Sequence, residues 1–105
     1  MTKLNREVLL DVAAVSSNSN WYPLDYICSP GNVSRSFVGE LTTGDTIDFM
    51  VTNDDVRFGV SNVSSVCTVS SFSTTSFCYE FSGPWTAIQF RKNGTNGPAK
   101  ITAIV

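Results

Sequence analysis

Apolar and polar residues alternate with a period of two along most of the chain, the signature of strands with one buried face. The pattern is clearest near the C-terminal end. Thr86 to Lys92 sets Ile88 and Phe90 on one face against Gln89 and Arg91, and Ala99 to Val105 sets Ala99, Ile101, Ala103 and Val105 against Lys100 and Thr102. Between them, Asn93-Gly94-Thr95-Asn96-Gly97 holds two Asn-Gly steps, which supply the positive-φ positions of a hairpin connection. Pro98 stands at the start of the second strand, where a missing N–H is tolerated. The segment therefore predicts a terminal hairpin.

Upstream the same period recurs with interruptions. Glu7 to Val15 fits a helix through Leu4, Val8, Val12 and Val15, or a strand through Val8, Leu10, Val12 and Ala14; its β-branched residues favour the strand. Ser16 to Asn20 reads as a loop. Trp21 to Cys28 is an aromatic segment that Pro23 restricts to a sheet edge or an extended crossing, and Ser29-Pro30-Gly31-Asn32 turns the chain. Val33 to Leu41 and Thr46 to Thr52, the latter with Ile47, Phe49 and Val51 on one face, predict a second hairpin about the Thr42-Thr43-Gly44-Asp45 turn. After the Asn53-Asp54-Asp55 turn come a short strand through Val56, Phe58 and Val60 and another at Val66 to Ser71. Phe77, Tyr79 and Phe81 then alternate with Cys78 and Glu80, and Gly83-Pro84 leads into the terminal pair. A loop at Ser71 to Thr74 would set Cys67 opposite Cys78, within disulfide reach.

About eight strands at spacings of roughly eight to twelve residues, without a convincing helix, predict an all-β antiparallel sandwich of jelly-roll or Greek-key type. The Cys–Trp–Cys spacing of an immunoglobulin domain is missing from the sequence. At 105 residues the chain is long enough for one domain with its own core. Charged residues make up 15% of it and Ser plus Thr account for 25 positions, so its surface is rich in hydroxyls and poor in charge. The net charge of −2 and the lack of a Lys/Arg cluster give a nucleic-acid face no electrostatic footing. The polar start Met1 to Glu7 is unlike a signal peptide, and no apolar run reaches the length of a membrane-spanning helix. An odd set of three cysteines, Cys28, Cys67 and Cys78, fits reduced thiols in a cytoplasm-folded protein, and the Asn-x-Ser/Thr matches at Asn32, Asn62 and Asn93 then read as chance.

Histidine is absent from the sequence, which removes the commonest general base and the commonest transition-metal ligand. Paired carboxylates could still serve glycoside hydrolysis, but Asp45, Asp54 and Asp55 fall in turns and Asp48 alternates outward, as solvated residues do. No catalytic, cofactor or metal site is expected; weak Ca²⁺ binding by the Asn53-Asp54-Asp55 turn is the one alternative, and that turn lacks the spaced oxygen ligands of a calcium loop. Trp21, Tyr22 and Tyr26 are the candidate partner-binding residues, either exposed for stacking on a sugar or a protein or closing one end of the core. Trp85 reads as a core or inter-sheet residue.

The run from Gly83 through Trp85, Phe90 and Asn93 to Ala99, with Val8 to Ala14 and Phe37 to Leu41, resembles small β-sandwich structural proteins encoded among the virion genes of tailed bacteriophages. The resemblance implies a non-enzymatic protein that decorates or cements the head, commonly as a homotrimer on the major capsid protein, in a virion assembled from chains made in the host cytoplasm. The alternative within the same resemblance is a tail or fibre module, which would bind a host receptor or glycan through Trp21, Tyr22 and Tyr26 if these are exposed.

Overall fold

The computed structural model describes residues 6–23, 35–54, 63–81 and 85–104, and every regular element in them is a strand. In chain order these are β1 (Arg6–Val12), β2 (Ser17–Asn18), β3 (Tyr22–Pro23), β4 (Arg35–Glu40), β5 (Thr46–Thr52), β6 (Cys67–Phe72), β7 (Ser76–Phe81), β8 (Ala87–Asn93) and β9 (Ala99–Ile104). The first antiparallel sheet runs β1-β9-β4-β7; the second runs β2-β8-β5-β6, with β3 also paired to β8. Because β2 and β3 follow one another along the same edge of β8, each sheet has four positions. Matched across the two sheets, these positions hold chain neighbours: β1 with β2/β3, β9 with β8, β4 with β5, and β7 with β6. That order is a jelly roll.

The topology corrects three local readings. Residues 93–99, 41–45 and 73–75 are not hairpin turns but arches that carry the chain from one sheet to the other. The lateral positions decide this. On both sides β8 is occupied, by β2/β3 and by β5, while β9 is held between β1 and β4, so the two cannot lie side by side. Cys67 consequently pairs opposite Val51 and Cys78 opposite Val38, in different sheets, and both thiols are free and exposed. The positive φ expected at both Asn-Gly steps is present at Gly94 (φ 119°) but not at Gly97. Predicted features at Tyr26, Cys28, the 29–32 turn, Asp55, the 56–60 strand and Gly83-Pro84 lie outside the described residues.

The strand reading of the first segment holds, with a shift of phase. Val8 pairs with Thr102 and Leu10 with Ile101, which leaves Leu9 as the extra residue of a bulge. Leu9 and Leu10 are therefore both buried while Val8 is 48% exposed. Pro23 sits at the edge, as predicted. Ser19 bridges the interruption between β2 and β3: its N–H donates to Phe90 O (2.8 Å) and its Oγ accepts from Phe90 N (3.0 Å), so the ladder continues through a side chain.

Between the sheets the core is aromatic. Phe37, Phe49 and Phe90, all fully buried, meet edge to face with centroids 5.0 to 5.6 Å apart. Phe72 and Phe77, flanking the 73–75 arch, stack parallel at 4.2 Å. Phe77 lies over Gly39, its partner on β4, where a Cβ would enter the ring. A satellite cluster of Trp21, Met50 and Ala87, with Val63 against it, covers part of the outer face of the second sheet.

Candidate functional site

The inward face of β8 reads Ile88, Phe90, Lys92, so the strand that supplies the aromatic centre ends in a lysine pointing into the sandwich. Lys92 is 1% exposed. Its Nζ lies within hydrogen-bond distance of four carbonyl oxygens: Gly97 at 2.7 Å, Gly94 at 3.0 Å, Val15 at 3.1 Å and Ala13 at 3.2 Å. Asp45 Oδ2 completes the cage at 3.3 Å. An ammonium has three protons for these five acceptors, so some bonds are shared. Burying a charge is costly unless it is paired and hydrogen-bonded, and both conditions are met here.

Asp45, immediately ahead of β5, continues the inward series Ile47, Phe49 and Val51 of that strand and is also 1% exposed, which corrects its reading as a solvated turn residue. Its Oδ1 accepts from Asn96 Nδ2 (2.7 Å) and Asn96 N (3.2 Å), and its Oδ2 from Gly97 N (3.3 Å). Burial pushes the Asp45 carboxyl up, but the Asn96 and Lys92 contacts together outweigh it and hold the group below its usual 3.8. The ion pair ties together the β1–β2 connection, the β4–β5 arch and the β8–β9 arch. Thr42 Oγ1 donating to Pro98 O (3.0 Å) and Gly94 N donating to Ser16 Oγ (3.0 Å) fasten the same three segments. Gly94 and Gly97 are required for close approach: a Cβ on the first would run into the Asp45 carboxylate and on the second into Thr42.

The other described aspartates are dispersed. Asp48 faces outward from the second sheet and accepts from Ser71 Oγ (2.6 Å) and Asn93 Nδ2 (3.1 Å). Asp54 lies past the far end of β5, where its Oδ2 accepts from Ser64 N (2.7 Å) and Ser65 N (2.9 Å); these bonds lower its carboxyl below the usual value. With the whole of β5 between them, Asp45 and Asp54 are about 20 Å or more apart, beyond the roughly 5 to 9.5 Å of a glycosidase pair. Among the described residues no cluster of three His, Cys, Asp or Glu could hold a metal ion.

Of the predicted partner-binding residues, Trp21 is 9% exposed and packed on Met50 and Ala87. Tyr22 is half-buried, its ring against Phe90 and its hydroxyl donating to Leu9 O at 2.6 Å. Tyr26 lies outside the described residues. The described pair is thus part of the fabric and forms no open stacking platform. Trp85 is half-buried against the core, as expected.

Two further features stand on the surface of the described residues. An open depression of about 270 Å³ at the knotted end is lined by Asp11, Glu40, Thr42 and Lys100 among others, with Lys100 in register between Asp11 and Glu40. Beside it, the outer face of the first sheet carries the uncharged row Val8, Thr102, Val38, Cys78 across β1, β9, β4 and β7. Compared with protein-family models, curated proteins and solved structures, the chain matches none.

Proposed function

We propose that this chain is a non-enzymatic structural protein of a tailed-bacteriophage virion, a head decoration or cement protein that binds the assembled shell of the major capsid protein as a homo-oligomer. The observation that carries this reading is the uncharged row on the outer face of the first sheet. Val8, Thr102 and Val38 present β-branched side chains there, bordered by the charged row Asp11, Lys100, Glu40. An uncharged centre with a charged border is the composition of a protein contact. The jelly roll is found in capsid proteins, and also in lectins and cupins, so it supports the reading by analogy only. The homotrimer is the form implied by the sequence resemblance. A tail or fibre module binding through aromatics has less support, because the Trp21 ring is covered.

The reading is tested on particles. Virions of a phage carrying this gene should contain the chain in a fixed ratio to the major capsid protein, and purified chain should bind shells that lack it in a saturable manner. Val8→Asp and Val38→Asp should abolish that binding while leaving the fold intact. Particles free of the chain, or shells that never bind it, would contradict the proposal.

A further inference from the structure

The four sheet edges are not alike. An unpaired edge strand invites pairing with another chain, and proteins blunt such edges with bulges, prolines, interruptions or charges. The β1 edge is bulged at Leu9, the β2/β3 edge is interrupted and carries Pro23, and β6 shifts register opposite Phe49/Met50. By contrast β7 pairs with β4 over six consecutive positions without a shift, and it contains neither proline nor lysine. No strand among the described residues pairs with its other edge, and Ser76, Cys78 and Glu80 are exposed.

The hydrogen-bond phase of that edge follows from one bond. Leu41 N donates to Thr75 O at 2.9 Å, in register with the β4–β7 ladder, so Thr75, Phe77, Tyr79 and Phe81 direct their backbone groups toward β4. Ser76, Cys78 and Glu80 direct theirs away. A strand pairing with its own copy antiparallel about a two-fold axis uses most of these groups when Cys78 lies on the axis. Ser76 then faces the partner's Glu80, Cys78 faces the partner's Cys78 and Glu80 faces the partner's Ser76, each as a hydrogen-bonded pair. This register sets no carboxylate opposite another, so the one charge on the strand does not oppose it.

We infer that β7 is a homotypic docking edge: two copies of this chain join through their β7 strands across a two-fold axis at Cys78, fusing the two first sheets into one continuous sheet. Cα atoms of a hydrogen-bonded antiparallel pair lie about 5.5 Å apart, within the range a disulfide spans. The two Cys78 thiols therefore become able to cross-link, whereas Cys67, on β6 in the other sheet, does not. The inference stands independently of the virion reading.

The test combines solution mass with oxidative cross-linking of the full chain. A Cys28→Ser/Cys67→Ser variant, keeping only Cys78, should give a covalent dimer under mild oxidant, and a Cys28→Ser/Cys78→Ser variant should not. On unmodified cysteines, Ser76→Glu should weaken self-association on the order of tenfold by placing like charges opposite each other twice, and Ser76→Lys should tighten it. Cys78→Pro removes an N–H that β4 does not use, so it should leave the fold intact and yield a monomer. A dimer, or a hexamer built of dimers, with these responses supports the inference. A monomer at the highest soluble concentration, a trimer in which Cys78 does not cross-link, or equal cross-linking through Cys67 overturns it, and a trimer would leave the virion reading standing.

Discussion

The middle of the sandwich and its knotted end are built from the same strand faces by opposite chemistry. In the middle, Phe37, Phe49 and Phe90 fill the space between the sheets edge to face. One step further along the same inward faces, Phe90 gives way to Lys92, and Phe49 and Ile47 give way to Asp45. The reason lies in what each region must satisfy. Mid-strand carbonyls are consumed by the ladders, so only apolar surface remains to be covered. Where three connections converge over the end of the sandwich, the carbonyls of Ala13, Val15, Gly94 and Gly97 turn toward one point outside the strand ladders, and an ammonium donates to them there, adding at Ala13 O to the bond from Val15 N–H (2.7 Å). Inward phase along a strand thus predicts burial, while the neighbouring connections decide whether the buried group is a hydrocarbon or an ion.

The largest predicted effect breaks both regions at once. Deleting Ile101 to Val105 removes most of β9, the strand between β1 and β4, with the fully buried Ile101 and Ala103. At about 25 cal/mol per Å² the lost apolar burial amounts to several kcal/mol, a large share of the roughly 5 to 15 kcal/mol available to such a domain. Circular dichroism should show an unfolded chain. Lys92→Met addresses the knot alone. It leaves the carbonyl cage and Asp45 without their cation and should cost about 3 to 5 kcal/mol in urea denaturation, against less than about 1.5 kcal/mol for a volume-conserving swap such as Ile88→Leu in the apolar middle. Gly94→Val and Gly97→Val follow, each at about 1 to 3 kcal/mol, the first through strain at positive φ and collision with Asp45, the second through collision with Thr42. Asn93→Ala, exposed and losing one bond to Asp48, should cost about 1 kcal/mol or less.

Acid should act more gently, at both ends of β5. The Asp45 and Asp54 carboxyls are held below 3.8 in the folded chain. Their contribution to stability is complete above that value, and it is lost as the pH falls from about 4 through the lower native values, where the unfolded chain binds protons first. Denaturation midpoints measured over this range should decline, and Asp45→Asn should flatten part of the decline.

Much of the fold is legible in the sequence because alternation reports which side chains face inward. The series Ile47, Phe49, Val51 and Ile88, Phe90 are buried as their period requires. Alternation does not report which strand lies alongside. An Asn-Gly-rich connection between two alternating segments serves a hairpin or an arch equally well, and only the occupancy of both flanks of β8 and β9 distinguishes them. The bulge at Leu9 is hidden for a related reason, since an extra residue changes the phase without changing the composition. The Lys92–Asp45 pair did leave a signal: each residue falls on the inward phase of its strand, beside a glycine-containing turn. For Asp45, charge and turn position argued for solvent, and phase proved the better guide.

The protected ammonium of Lys92 tests this account most directly. The sequence has three lysines, Lys3, Lys92 and Lys100. Exposed lysine ammonium protons exchange with water too quickly near neutral pH to be seen, whereas one enclosed by carbonyls and a carboxylate exchanges only when the knot opens. A ¹⁵N–¹H spectrum tuned to lysine side chains should show one slowly exchanging NH₃⁺ resonance, lost in Lys92→Met and weakened in Asp45→Asn. No protected resonance, or one that survives Lys92→Met, would mean that Lys92 is in water and that the three connections are not clamped at this end.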